Sequence, residues 1–255
     1  MEQWNAIYTL VPILKEDKAV RAIFLKGSLA RGEGDKYSDV DLYCLVYEDD
    51  LEHFLNRRLD YLKKYKGLLF WTEVNFVAPQ IVAVFNNGLH LDLYTVTKET
   101  LKQTDAVKIL YDPEKLLSDY QKGWFELSKE EIVKIFDQLT FKLLEFEAAY
   151  KRKNMIWASR LASHISGDIV LLVRYIYDPK HAQLGFKKIN NAIPEEIYQE
   201  LYNALDKINP SNLPMGLFKL LELTDEIISK LPSDINDELN FKFYDFMSEK
   251  IKKLL

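Results

Sequence analysis

Leu25-Lys-Gly-Ser-Leu-Ala-Arg-Gly-Glu-Gly-Asp-Lys-Tyr-Ser-Asp-Val-Asp-Leu42 joins the end of one apolar run to the start of another. The run before it, Ala22-Ile-Phe-Leu25, reads as a buried strand that ends at Gly27-Ser28. Gly27 lacks a Cβ, so its backbone can approach a phosphate closely. Ser28 adds a hydroxyl and an amide at the start of a short helical turn, where free N–H groups favour anions. Asp39 and Asp41 lie two apart where a strand over Val40 to Val46 begins. Residues i and i+2 of a strand share a face, so both carboxylates can converge on one site.

Crowded carboxylates repel each other unless a cation neutralises them. Hard oxygen ligands suit Mg²⁺, which also takes oxygens from a nucleotide's phosphates. Leu91-Asp92-Leu93 offers a third carboxylate, on the face opposite its two leucines. If its strand lies beside Val40 to Val46, Asp92 reaches the same ions. Two metals roughly 3.5–4 Å apart would then clamp the attacking and leaving oxygens of an in-line displacement.

Outward from this motif, helix and strand alternate. Trp4 to Leu14 reads as a helix, and Glu48 to Tyr65 as an amphipathic one with Leu51, Phe54, Leu55, Leu59 and Leu62 at helical spacing. Leu69 to Val77, Gln80 to Phe85, Leu89 to Val96 and Val107 to Tyr111 are strand-like. Asn86-Asn87-Gly88 supplies a hairpin turn between two of them. A mixed sheet with flanking helices follows.

From about Ser128 the pattern becomes helical. Ser128-Lys-Glu-Glu131 is a capping box. Helical periodicity runs through Leu161 to Tyr177, Glu195-Glu196 after Pro194 opens a further helix, and Leu217 to Leu231 and Glu238 to Leu254 make two more. The expected organisation is an α/β domain over residues 1–115 and a C-terminal helical bundle over 120–255, with a ligand cleft between them.

Composition sets outer bounds. The chain has 255 residues, 48% hydrophobic and 29% charged, as in ordinary globular proteins. A net charge of −5 argues against gripping nucleic acid over a broad surface. Apolar runs such as Ile169 to Val173 are too short to span a bilayer, so no membrane partner is expected. Met1 to Asn5 lacks a basic n-region and signal core. Cys44, the single cysteine, cannot form an internal disulfide and fits a reducing cytoplasm.

The Gly-Ser pair, a spacer of ten residues, Asp-x-Asp in a strand and a third acid on a later strand resemble the polymerase-β-like nucleotidyltransferase superfamily. The extended Gly-Ser-Leu-Ala-Arg-Gly-Glu and the Tyr37-Ser38-Asp39 approach are most similar to antibiotic nucleotidyltransferases of the aminoglycoside and lincosamide type. The resemblance covers about residues 22 to 96. It implies a nucleotidyltransferase-type α/β domain with a C-terminal helical bundle. It also implies transfer of a nucleoside monophosphate, AMP from ATP, to a small-molecule hydroxyl. Asp39 and Asp41 would ligate Mg²⁺, and Asp92 would ligate a second ion or act as base. Gly27, Ser28, Lys26 and Arg31 would contact phosphates. A homodimer is compatible with this reading.

Other residues have plain readings. Arg31 suits a solvent-facing helix position as well as a phosphate contact. Glu33 and Asp35 are loop acids, and Glu73 is an edge-strand acid or a cleft residue. His90 shares the face of Asp92 and reads as a polar neighbour of the hairpin turn in preference to a catalytic group. Arg160, His164 and Asp168 fall at i, i+4 and i+8, which reads as a solvated stripe with a supporting ion pair in preference to a cleft-lining stripe that contacts nucleotide or acceptor. Two competing functions remain at this level: a protein-AMPylating enzyme of the toxin–antitoxin kind, and a non-catalytic nucleotide-binding module.

Overall fold

Apolar runs buried on both faces set the central strands of the first half. In the computed structural model, which describes residues 1–255, the chain divides into two units, residues 1–123 and 124–255. The first holds β1 (Val20–Leu25), β2 (Val40–Val46), β3 (Leu68–Asn75), β4 (Pro79–Phe85), β5 (His90–Val96) and β6 (Lys108–Tyr111). They form one six-stranded sheet in the order β3-β4-β5-β2-β1-β6. Only β2 and β5 run parallel; every other pair is antiparallel. The mixed sheet expected from the sequence is therefore present.

Helices α1 (Glu2–Leu14) and α3 (Leu51–Lys63) cover one face. Ile7, Leu10, Phe54 and Leu62 pack there with Leu25, Leu42, Leu91 and Leu93. Each such aliphatic or aromatic side chain contributes about 1.5–3 kcal/mol by leaving water. The opposite face carries a ring stack, with Phe24 and Tyr43 centroids 5.1 Å apart and Tyr43 and Tyr94 4.3 Å apart. Gly88, at φ +80°, turns the β4–β5 hairpin, as the Asn-Asn-Gly signal requires.

Two elements differ from expectation. α3 starts at Leu51, because Glu48–Asp50 forms a separate 3₁₀ turn. Its inner face also takes a cation: Arg58 is buried while Leu55 and Leu59 are only half-buried. The Arg58 guanidinium donates to Thr95 Oγ1 at 3.2 Å and lies 3.7 Å from the Glu73 carboxylate, which makes that burial tolerable. β3 ends at Asn75 rather than Val77, and Leu69, Phe70 and Trp71 on it are exposed.

The second unit is helical: α4 (Lys129–Lys151), α5 (Met155–Tyr177), α6 (Glu195–Leu205), α7 (Met215–Ser229), α8 (Ser233–Asn236) and α9 (Phe241–Lys252). The capping box forms as read, with the Ser128 side chain and the Glu131 side chain each accepting from the other's backbone N–H. α5 is long and apolar enough by composition to cross a membrane, and half of its most apolar window is buried inside the protein. Ile165, Ile169 and Val173 there join Phe136, Leu139 and Leu143 of α4 in the core, which is the ordinary behaviour of a central helix. The Arg160–His164–Asp168 stripe resolves at Asp168, whose carboxylate pairs with Lys142 of α4.

Candidate active site

The parallel pairing of β2 with β5 is what assembles the acids. Val40 is opposite Leu91, Asp41 opposite Asp92 and Leu42 opposite Leu93. The valine and the three leucines are fully buried against the helical layer. By alternation, both aspartates must then point to the other face. Asp39 sits one residue before β2 and is half-exposed. One carboxylate oxygen from each of Asp39, Asp41 and Asp92 lies within 4.8 Å of the others. Three hard oxygen donors in so small a space fit a divalent cation of the Mg²⁺ class.

Gly27 closes the site from β1, and its reason for being glycine is visible. It starts the short helix α2 (Gly27–Arg31) at φ +69°. A Cβ there would lie 2.0 Å from Asp41 Oδ2. The sequence reading assigned the missing side chain to phosphate approach; in the fold, the space is taken by Asp41. The backbone N–H of Lys26 donates to the Asp41 carbonyl at 3.1 Å, which locks the turn to the carboxylate strand. Ser28, next in the turn, is half-buried.

Lys26 and Arg31 are engaged by the segment Lys102–Asp105. Lys26 Nζ donates to the Lys102 carbonyl at 2.7 Å. The Arg31 guanidinium pairs with the buried Asp105 carboxylate and with Glu33 at 2.9 Å. Asp105 also accepts the Gly27 N–H at 3.1 Å. One buried carboxylate thus draws on two donors of the Gly27–Arg31 turn. Nothing in the sequence singled out Asp105, which lies 78 residues beyond Gly27. Asp35 accepts from the Tyr37 N–H at 2.9 Å and the Ser38 hydroxyl at 3.1 Å, closing the loop that leads to Asp39.

Burial pushes the Lys26 ammonium down to about 8, against the attraction of Asp105. Between that value and the ordinary lysine value of 10.5, the unfolded chain holds more protons at this position than the folded one. Stability therefore gains from this group as pH rises through the window. Urea midpoints at pH 8 and pH 10 should show a gain in the wild type relative to Lys26→Met; parallel pH profiles would remove Lys26 from the explanation.

His90 lies against the same cluster of acids. Its Nε2 lies 3.0 Å from Asp92 Oδ1, and its Nδ1 3.9 Å from Asp39 Oδ2. The hydrogen bond to Asp92, reinforced by the Asp92, Asp39 and Asp41 charges, raises its pKa in spite of partial burial. His90 and Asp92 are i and i+2 on one strand, so they share a face. Beneath them, Tyr43 and Tyr94 follow Asp41 and Asp92 by two residues on the same face, and burial holds both phenols above their ordinary range.

Several solved structures are similar, and three of them are as follows. An aminoglycoside 6-adenyltransferase from Bacillus subtilis has 13% identity and a TM-score of 0.40, with 97% of this chain and 98% of that one covered. A nucleotidyltransferase-like protein from Exiguobacterium sibiricum has 12% identity and a TM-score of 0.38, with 88% and 75% covered. A spectinomycin adenyltransferase from Enterococcus faecialis, with ATP and spectinomycin, has 11% identity and a TM-score of 0.34, with 98% and 99% covered. At this distance they add no argument about chemistry. No curated protein sequence matches the chain. The family model of the nucleotidyltransferase domain matches residues 7–112, a segment that holds all six strands and all three clustered acids. Residues 7–112 are therefore matched as a nucleotidyltransferase domain.

Proposed function

We propose that the protein transfers AMP from ATP to a hydroxyl of a small molecule of the aminoglycoside or lincosamide kind, releasing pyrophosphate. The observation that carries this reading is the convergence of Asp39, Asp41 and Asp92 within 4.8 Å, beside the Gly27-Ser28 turn. Asp39 and Asp41 would hold Mg²⁺ together with the triphosphate. The ion, when bound, neutralises phosphate charge and orients the nucleotide.

Asp92 is the group we assign to the acceptor. Its carboxylate takes the hydroxyl proton as the acceptor oxygen bonds to the α-phosphorus and the bond to pyrophosphate breaks. That role requires the hydroxyl within about 2.6–3.2 Å of the carboxylate. His90, bonded to Asp92 Oδ1, orients that carboxylate and leaves its other oxygen for the proton. Ser28 and the Gly27 backbone would receive phosphate oxygens, with Lys26 and Arg31 as flanking positive charge. The net charge of −5 suits a cationic acceptor. A cytoplasmic location, where ATP and Mg²⁺ are supplied, fits the single buried cysteine.

The test is pyrophosphate release from Mg-ATP across a panel of aminoglycosides and lincosamides. Release with at least one antibiotic, and label from ATP on that antibiotic, is the expected result. Label on lysate proteins with none on any antibiotic would overturn the acceptor assignment. Asp92→Asn should lower kcat by roughly 10²–10⁴-fold while the KM for ATP changes little. An unchanged kcat would remove Asp92 from proton transfer.

A further inference from the structure

Strand β3 stands at the end of the sheet order, so one of its backbone edges has no neighbouring strand. Soluble proteins blunt such edges with lysine, proline or very short strands. β3 has none of these devices: it is eight residues long, Leu68-Leu-Phe-Trp-Thr-Glu-Val-Asn75. Leu69 is 70% exposed, Phe70 52% and Trp71 45%, and Phe76 just beyond is 86% exposed. The one ionisable side chain on the strand is Glu73, and it lies 3.7 Å from the buried Arg58 guanidinium. An apolar, near-neutral edge of this length is a pairing template.

We infer that this edge pairs with the same edge of a second copy of the chain, antiparallel, about a two-fold axis at Trp71. Charge selects the occupant. The edge offers no free cation for an acidic peptide, and its single acid already faces a guanidinium, so a charged strand gains nothing there. An identical strand is matched in neutrality. Antiparallel pairing centred on Trp71 sets the two Glu73 residues four positions apart along the strands. That is about 13 Å at strand rise, beyond the ~8 Å reach of charge at physiological salt. A parallel arrangement would place them side by side.

The geometry agrees. Pairing of β3 with β4 is continuous from Phe70 to Asn75, after an irregularity between Leu68 and Phe70. The regular stretch therefore includes the proposed axis. The exposed side chains of Leu69, Phe70 and Trp71 fall within residues 68–74, the stretch that pairing about Trp71 brings together. Centred on Trp71, the two six-stranded sheets become one, with the rings of Trp71 and its copy paired across the axis. Thr72, Val82, Asp92 and Asp41 form one register row, so both carboxylate clusters fall on the same side of the joined sheet.

Light-scattering mass of the full chain at about 50 μM tests this, with Trp71→Lys and Trp71→Glu as variants. Trp71 lies outside the carboxylate cluster, so each variant should stay folded and keep its pyrophosphate release, with a melting temperature lowered only by loss of the partner. The wild type should have twice the 29.9 kDa chain mass. Each variant alone should fall to the monomer mass, because like charges then meet at the axis. An equimolar mixture of the two should return to the dimer mass. A monomeric wild type, a dimer that survives in either variant, or a mixture that stays monomeric would each overturn the inference. The outcome is independent of which acceptor the enzyme uses.

Discussion

Replacing Asp41 by Asn is expected to cut nucleotidyl transfer by about 10³-fold or more while the protein stays folded. The argument rests on charge. Three carboxylates contribute oxygens within 4.8 Å of one another, an arrangement that a bound divalent cation stabilises. Removing one charge weakens the hold on that cation by several kcal/mol, and each 1.36 kcal/mol is tenfold in rate. It also relieves repulsion among the acids, so the melting temperature of the ion-free variant should not fall. Pyrophosphate release and thermal melting, run side by side, separate the two effects. A variant with wild-type turnover would mean the cluster is an incidental acidic face. A variant that is inactive only because it has unfolded would leave the charge argument without support.

Gly27→Ala should be nearly as damaging, for a different physical reason. The new methyl would lie 2.0 Å from Asp41 Oδ2 and 3.1 Å from its Cγ, and the backbone sits at φ +69°. Left-handed backbone at a non-glycine residue costs about 1–3 kcal/mol. The clash adds a displacement of the Asp41 carboxylate, and a shift of about 1 Å in a catalytic group can cost on the order of 10²-fold in rate. Gly32→Ala is the control. Gly32 also has positive φ, +79°, but a Cβ there meets nothing within 4 Å. Both variants should lose stability, and only Gly27→Ala should lose most of its activity. Equal activity losses in the two would trace the effect to backbone strain and not to Asp41.

These two residues also show what a sequence can reveal. Alternation placed Asp92 opposite its leucines, and the Ser128 capping box predicted the start of α4, because both are local rules of one element. The Gly-Ser turn, the spacer and the Asp-x-Asp pattern sufficed for the family. Contacts that join distant segments were not legible. Asp105 reaches Gly27 and Arg31 across 78 and 74 residues, and no periodicity marks it. Arg58 occupies a buried place on α3 that helical spacing would give to a leucine, because Thr95 and Glu73 receive it there. The shared face of His90 and Asp92 is legible from their spacing, whereas the 3.0 Å hydrogen bond between them is not.

The central claim is that Asp39 and Asp41, clustered with Asp92, bind nucleotide through a divalent ion. Thermal melting with ATP, in Mg²⁺ and in EDTA, tests it most directly, because ligand binding to the folded state raises the midpoint. ATP should stabilise the wild type only when Mg²⁺ is present, and should not stabilise Asp41→Asn in either condition. Equal stabilisation by ATP in EDTA, or an undiminished Mg²⁺-dependent shift in Asp41→Asn, would contradict the account.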